Sequence, residues 1–252
     1  MTLLATEIHK PGQRDATVVF AADRRITRGI VRDSAQPKVF RIPRLSAGLG
    51  YFGLAEVPDG RTKQPMAAWL KRFISGCQAP TLGAFAADLA ANLNDLVPRR
   101  WRRTYVSGFH VCGLVAAGHP EFWYVRNCDD TAAQKPTGSY AAREDFQRRD
   151  ACRLGTGKVM VYRNGDIRAH VLAWGKIDQA LLGLLQAPDF KGLTMTAAYV
   201  RWVKFKMGII ADFYEPSARY QSSVVPSTRS RSRGRRAAVE QGHPADGASR
   251  RS

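Results

Sequence analysis

The sequence predicts an α+β fold in which strands, a helical pair, further strands and a second helical pair follow one another along the chain. Two patterns support this prediction. Short apolar segments bounded by turn residues are typical of strands, whereas apolar residues spaced three and four positions apart are typical of helices. Each pattern occurs twice between residues 2 and 215, and at 252 residues the chain is long enough to bury a substantial core.

The first two strands are predicted at residues 2–8, TLLATEI, and at residues 17–23, TVVFAAD. A Pro-Gly turn signal lies between them, so we expect an antiparallel hairpin. Two shorter apolar segments, KVFRI and GYFGLAE, follow. The glycine inside the second of these indicates a bend or a close approach of the backbone.

The first helical pair is predicted at residues 65–74 and 81–96, where large apolar side chains recur at three- and four-residue spacing. Thr81 is expected to cap the second helix of this pair. The segments FHVCGLVAAG and EFWYVRN then predict a second hairpin, which turns at His119 and Pro120.

The second helical pair is predicted at residues 167–185 and 194–215, after a polar and irregular segment at 128–158. In the last helix, four large apolar side chains are expected to share one stripe: Trp202, Phe205, Ile209 and Phe213.

The C-terminal segment has a different composition. From about Ser222 the apolar pattern disappears, and the chain becomes rich in Ser, Arg, Gly and Pro. Such a composition offers almost nothing large to bury. We therefore expect a folded domain at residues 1–221 and a disordered basic tail at residues 222–252.

The formal net charge of +18 suggests a polyanionic partner, but the distribution of the charge matters more than its sum. Much of the basicity lies in the tail and in RRWRR at residues 99–103, whereas the middle of the chain mixes signs. A diffuse excess is weak support for nucleic-acid binding. Trp101 is compatible with stacking on a base, and equally with a solvated turn after Pro98.

Four cysteines, Cys77, Cys112, Cys128 and Cys152, are far apart and form no CxxC pair. This spacing argues against a zinc site or a disulfide framework and favours buried packing, including for Cys112 and His110 on one strand face. The opening decapeptide MTLLATEIHK lacks a basic leader, and no window approaches the ~20 apolar residues of a membrane span. We expect a soluble cytoplasmic protein without a membrane partner.

A candidate site is suggested by the stretch VVFAADRRITRGIVRDSAQPKVFRI, residues 18–42. Asp23 ends one predicted strand and Lys38 opens the next, behind a hydroxyl residue at Thr2. Together with GYFGLAE, these segments resemble the N-terminal half of proteasome β-type subunits and their bacterial relatives, the threonine peptidases of the N-terminal-nucleophile hydrolases. The resemblance implies a four-layer αββα sandwich, and it covers about the first 55 residues closely.

The resemblance also implies a role for each residue of the site. Thr2 would be the nucleophile once Met1 is removed, with Asp23 and Lys38 as its charged neighbours and Gly53 donating its N–H to the oxyanion. Thr27 would align the substrate backbone. Four residues would line the pocket for the residue before the scissile bond: Ile26, Gln36, Tyr51 and Ala55.

The chemistry supports these residue types. A threonine hydroxyl needs a base, and a free α-amine on the same residue, with a reference pKa of about 7.7 to 8.0, is one. The Lys38 ammonium would favour the neutral amine, and Asp23 would hold and compensate the lysine. No metal or organic cofactor is required.

The sequence departs from the family in two places. The family has a serine that helps to orient the terminal amine, where this chain has Asp166 in RNGDIRAH; a carboxylate there accepts a hydrogen bond but raises the pKa of the amine. The family also has an aspartate at the end of its last helix and a Ser-Gly shortly after it. Asp212 and Ser217 are the candidates here, but no glycine follows Ser217. No apolar strand is evident beyond Val225, so we expect the tail to replace the family's closing strand.

Three functional hypotheses follow. The first is a threonine endopeptidase that hydrolyses protein or peptide substrates inside a ring of identical subunits, single or double, for which the resemblance implies an ATPase unfoldase or other gate partner. The second is a catalytically silent ring or scaffold protein, favoured by Asp166 and by the missing closing strand. The third is a nucleic-acid-binding protein that uses the basic tail. An amide hydrolase of the same superfamily remains open, because nucleophile chemistry alone does not fix the acyl group.

Overall fold

A computed structural model describes residues 3–9, 16–23, 26–28, 31–33, 36–115, 119–128, 142–150, 159–165, 193–214 and 220–225. Within these ranges the chain is a mixed α/β fold that contains antiparallel sheets and a few helices. The predicted helix at 167–185 lies outside the described residues.

The strands fall in four groups along the chain. The first group is β1 (Leu3–His9), β2 (Thr17–Asp23), β3 (Ile26–Arg28) and β4 (Val31–Asp33). The second is β5 (Val39–Ile42), β6 (Ala47–Phe52), β7 (Glu56–Asp59) and β8 (Thr62–Pro65). The third is β9 (Gly108–Leu114), β10 (Pro120–Cys128), β11 (Ala142–Asp150) and β12 (Val159–Gly165), and β13 (Tyr220–Val225) follows alone.

The helices within the described ranges are α1 (Met66–Gly76), α2 (Leu82–Leu96), α3 (Arg99–Thr104) and α4 (Met195–Tyr214). The predictions at 65–74, 81–96 and 194–215 are confirmed. Thr81 is the N-cap of α2, because its hydroxyl accepts a hydrogen bond of 3.1 Å from the Ala84 N–H.

Two larger sheets organise the strands, with the orders β12-β1-β2-β13 and β11-β10-β9-β6-β5. Both predicted hairpins are confirmed: β1 pairs with β2, placing Leu4 opposite Ala22, and β9 pairs with β10, placing Cys112 opposite Phe122. Short hairpins β3-β4 and β7-β8 form two further sheets.

The two larger sheets share one apolar core. Alternate residues of β1 and β2, including Leu4, Ile8 and Phe20, are completely buried against side chains of the other sheet such as Phe122. A second core lies between the β5–β6–β9–β10 side of the five-stranded sheet and helices α1 and α2, with Phe85 and Phe109 among its members. Strands β1 and β2 are buried along their whole length, since α4 lies against the sheet that contains them.

In the described part of α4 the predicted stripe is only partly buried. The buried side chains of the helix include Trp202, Val203, Lys206 and Met207, whereas Phe205 is 42% exposed. The buried face of the helix includes a charged residue, Lys206, which the apolar pattern alone does not predict. The Lys206 ammonium in fact donates a 2.5 Å hydrogen bond to Glu7 Oε1 on β1, which places the lysine on the buried face of the helix.

Glu7 is the centre of a buried charged cluster between β1 and α4. Its second carboxylate oxygen lies 3.0 Å from His9 Nε2, and the His9 ring stacks on Tyr199 at 3.8 Å between centroids. Burial alone would raise the pKa of Glu7, but the hydrogen bond with His9 and the charge of Lys206 outweigh burial and lower the pKa below its ordinary value of 4.5.

Acid should destabilise the protein through Glu7. A carboxyl whose pKa is lower in the folded state stabilises the fold above its ordinary pKa, and this contribution is lost as the pH falls below 4.5 and through the folded-state pKa. Melting temperatures measured from pH 7 to pH 3 should therefore fall less steeply for the Glu7→Gln/Lys206→Met double variant than for the wild type. Asp59→Asn, which removes an exposed carboxylate at the end of β7, is the matched control and should follow the wild-type slope more closely. Identical slopes for the double variant and the wild type would contradict this assignment.

Two sequence expectations are wrong. The segment 128–158 is not wholly irregular, because β11 occupies residues 142–150 and pairs with β10. The loss of strand pattern from Ser222 is also not matched, since β13 continues to Val225 and pairs with β2, placing Val225 opposite Val18. Residues 222–225, which were assigned to the tail, therefore form part of a sheet strand.

In the described part of the chain, no helix combines the length and the apolar character that crossing a bilayer requires.

Candidate active site

Asp23 and Lys38 form a buried ion pair. Asp23 is the last residue of β2 and Lys38 directly precedes β5, so the two residues belong to the two sheets that face each other. The Lys38 ammonium lies 3.1 Å from both carboxylate oxygens of Asp23. Asp23 is only 3% exposed and Lys38 only 2%. The structure thus brings together the two charged residues that the sequence predicted to be neighbours.

The backbone at the start of β1 touches this pair. The Leu3 N–H donates a 2.6 Å hydrogen bond to Asp23 Oδ1, which also accepts from Lys38. Burial raises the pKa of Asp23 above its ordinary value of 3.8, and the Lys38 charge and the Leu3 N–H oppose that rise. The carboxylate form of Asp23 therefore depends on Lys38.

Gly53 lies at a turn directly after β6. Its φ of 95° lies in the region that favours glycine, and the residue is exposed. A Cβ built there would lie 2.2 Å from the Val106 carbonyl oxygen and 2.6 Å from Ser107 Cα. Both contacts are with backbone, so the position excludes any side chain and suits a backbone N–H that must approach a substrate.

Gly53→Ala is expected to lower the free energy of unfolding by more than about 1 kcal/mol, because the native backbone is incompatible with alanine. Gly60 provides a matched control: its φ is also positive, at 60°, but a Cβ there meets nothing within 4 Å. Urea denaturation should therefore show a larger loss for Gly53→Ala than for Gly60→Ala. Equal losses would mean that the contact with the 106–107 backbone has no energetic effect.

The predicted pocket residues are in different surroundings. Tyr51 is 1% exposed and stacks near Phe40 and Phe109 in the core on the helix side of the sheet. A substrate would reach its ring only if these neighbours moved. Gln36 and Ala55 are partly buried, and the Ala55 carbonyl accepts a 2.8 Å hydrogen bond from the first residue of α1. Their pocket roles stay predictions.

The remaining predicted residues are only partly described. Ile26 and Thr27 lie in β3, which pairs with β4 in a short hairpin directly after Asp23. Asp212 lies near the C-terminal end of α4. Thr2 and Asp166 lie outside the described residues, as does Ser217.

Two buried polar networks were not predicted. In one, Ser107 and Asn127 are completely buried, and the Ser107 hydroxyl accepts a 2.9 Å hydrogen bond from the Leu54 N–H. In the other, His110 bridges the two sheets: its Nδ1 lies 2.9 Å from Thr6 Oγ1 and its Nε2 2.5 Å from Asn164 Oδ1. The burial predicted for His110 and Cys112 is confirmed, but no sequence signal identifies partners so far apart in the chain.

The RRWRR segment lies in α3, and four of its five side chains contact other residues. Arg99 and Arg103 both pair with Glu144 on β11. Arg102 is buried and lies 3.1 Å from Asp145. Trp101 packs against the helix-side core. This arrangement gives no support to base stacking at this segment, because the tryptophan ring is engaged in packing and three of the four arginines pair with carboxylates.

The described residues contain no cluster of three or more His, Cys, Asp or Glu side chains that could hold a metal ion. No protein-family model matches the chain, and no curated protein shows significant sequence similarity to it.

Proposed function

We propose that this chain is a threonine endopeptidase of the proteasome β type, in which Thr2 becomes the N-terminal nucleophile after removal of Met1. The observation that carries the proposal is the buried Asp23–Lys38 pair bonded to the Leu3 N–H. The Leu3 nitrogen is covalently bound to the carbonyl carbon of residue 2. In the proposal, the α-amine and the hydroxyl of Thr2, the residue before Leu3 in the chain, act beside this pair.

The free-energy cost of burying charges argues that this ion pair has more than a structural role. Removing two charges from water is costly, and a buried ion pair is often no more stabilising than apolar residues of similar volume. A lysine with 2% exposure therefore suggests a chemical role beside a structural one.

In the proposed mechanism, the neutral α-amine of Thr2 takes the proton from its own hydroxyl as the oxygen attacks the scissile carbonyl. The Lys38 ammonium favours the neutral amine, and Asp23 fixes the position of that ammonium. The Gly53 N–H donates to the oxygen that becomes negatively charged. The protonated amine then returns its proton to the leaving amine, and water releases the acyl group.

The packing order of the fold also supports the proposal. The layers follow one another in the order helices α1 and α2, five-stranded sheet, four-stranded sheet and α4. Each layer shares a core or contacts with the next. This order agrees with a four-layer αββα sandwich. In the proposal, β13 serves as the closing strand, which removes one of the two observations that favoured a silent scaffold.

Substrates and partners follow from the same proposal. The site would hydrolyse peptide bonds of unfolded proteins or peptides, preferably after small or medium apolar residues, inside a cytoplasmic ring of identical subunits. An ATPase unfoldase would supply unfolded substrate.

An intact-mass measurement combined with covalent labelling tests the proposal. The active chain should begin at Thr2, and a peptide β-lactone or epoxyketone should add one equivalent of its mass to that residue. Short fluorogenic peptides should be hydrolysed at a rate that labelling abolishes. Active protein that retains Met1, or a label located on any other residue, would rule the mechanism out.

A further inference from the structure

The turn that contains Gly53 is fixed on both sides. On its N-terminal side, Phe52 ends β6 opposite Gly108 in the β6–β9 pairing. On its C-terminal side, the Leu54 N–H donates its hydrogen bond to Ser107 Oγ at 2.9 Å. A glycine alone would leave the direction of its N–H poorly determined, because glycine adopts many backbone conformations at little cost. The two attachments together fix that direction.

Ser107 is itself held by Asn127. The Ser107 N–H donates to Asn127 Oδ1 at 2.7 Å, and the Asn127 N–H donates to the Ser107 carbonyl at 3.1 Å. Neither residue has measurable exposure. Since a buried polar group without a partner is costly, this reciprocal pair strongly favours one position of the Ser107 backbone.

The Asn127 amide is oriented by the end of α3. Its Nδ2 donates to the Arg102 carbonyl at 2.7 Å and to the Tyr105 carbonyl at 2.9 Å. A continuous chain of buried hydrogen bonds thus runs from α3 through Asn127 and Ser107 to the Leu54 N–H.

Ser107 also lies behind the turn. A Cβ on Gly53 would lie 2.6 Å from both Ser107 Cα and Ser107 Oγ. The 106–107 segment therefore occupies the side of Gly53 where a side chain would otherwise project, while Gly53 itself is exposed.

We propose that Ser107, held by Asn127, is a positioning residue that fixes the Gly53 N–H as the oxyanion donor. This inference rests on the proposed peptidase function. Ser107 acts through the Leu54 N–H and does not touch the substrate. Its effect should appear in the step that develops negative charge on the carbonyl oxygen, because a hydrogen bond contributes to the rate only where the transition state gains from it.

The test compares Ser107→Ala and Ser107→Cys with the wild type, and uses Ser75→Ala, an exposed serine on α1 that bonds only within its helix, as the matched control. The cysteine variant keeps the side-chain shape but provides a weak acceptor. Two rates are measured: amide hydrolysis of a fluorogenic peptide, and labelling of Thr2 by a peptide vinyl sulfone. In the labelling reaction the Thr2 oxygen adds to the vinyl carbon and the hydroxyl proton ends on the carbon next to sulfur, so no carbonyl oxyanion forms.

Both Ser107 variants should lower kcat for hydrolysis by about 10- to 100-fold, less than the loss of the donor itself. KM and the labelling rate should change by no more than about threefold, and Ser75→Ala should match the wild type. An unchanged kcat in Ser107→Cys would overturn the inference, as would an equal loss of hydrolysis and labelling, which indicates general damage to the site. A wild-type protein that neither hydrolyses peptides nor reacts with the vinyl sulfone would overturn the proposed function, and this inference with it.

Discussion

Thr2→Ala is expected to abolish peptide hydrolysis and covalent labelling while leaving the fold and the assembly intact. The side-chain oxygen of residue 2 is the proposed nucleophile. Without it, only substrate binding and the oxyanion donor accelerate the reaction, and the rate is typically about 10³- to 10⁶-fold below that of the wild type. Residual hydrolysis is measured with a fluorogenic peptide, and labelling by intact mass.

Thr2→Ser is the matched control for this variant, because it keeps a hydroxyl at the same position. It should retain labelling at residue 2 and a measurable fraction of the activity. Labelling that survives Thr2→Ala would show that the reactive group is another residue. It would favour the hypothesis in which Thr2 has no catalytic role.

Lys38→Met should lose both activity and stability. Removing one partner of a buried ion pair typically costs about 3 to 5 kcal/mol, since the other charge is left without compensation. The proposed amine base would also lose the neighbouring ammonium that keeps it neutral. Each unit by which the pKa of the amine rises costs about tenfold in the neutral form below that pKa. The pH–kcat/KM profile should therefore shift to higher pH, with part of the activity returning in alkali.

The double variant Asp23→Asn/Lys38→Met separates these two effects. An asparagine keeps an oxygen that can accept from the Leu3 N–H, and neither buried charge remains. The free energy of unfolding should recover toward the wild-type value, whereas activity should stay low. If the double variant regained activity together with stability, Lys38 would have only a structural role.

The charged part of the site was predicted from the resemblance to proteasome β-type subunits, and its two residues adjoin strands with clear apolar patterns. Asp23 ends one such strand and Lys38 precedes another, so sheet packing was enough to bring them to 3.1 Å. The partners of Ser107 could not be predicted in the same way, because serine and asparagine are common in exposed loops and their burial depends on the approach of segments 20 residues apart.

There are also physical reasons why β11, β13 and the buried lysine of α4 were not predicted. Strand β11, AREDFQRRD, lies at a sheet edge and has Phe146 as its one fully buried residue, so it carries no alternating apolar pattern. Strand β13, YQSSVV, is equally polar over most of its length and gains its hydrogen bonds from β2 rather than from a pattern of its own. In α4, Lys206 occupies a buried position because Glu7 on β1 compensates its charge.

The position of β13 determines where the C-terminal region can be shortened. Tyr220 lies opposite Asp23 and Val225 opposite Val18, so this strand covers the outer edge of β2 along residues 18–23. A chain cut at residue 221 would leave most of that edge with unpaired N–H and C=O groups, and such edges recruit strands from other molecules. The resulting aggregates would be mistaken for assembly in a light-scattering experiment. Shortened chains intended for solution work should therefore end after Val225.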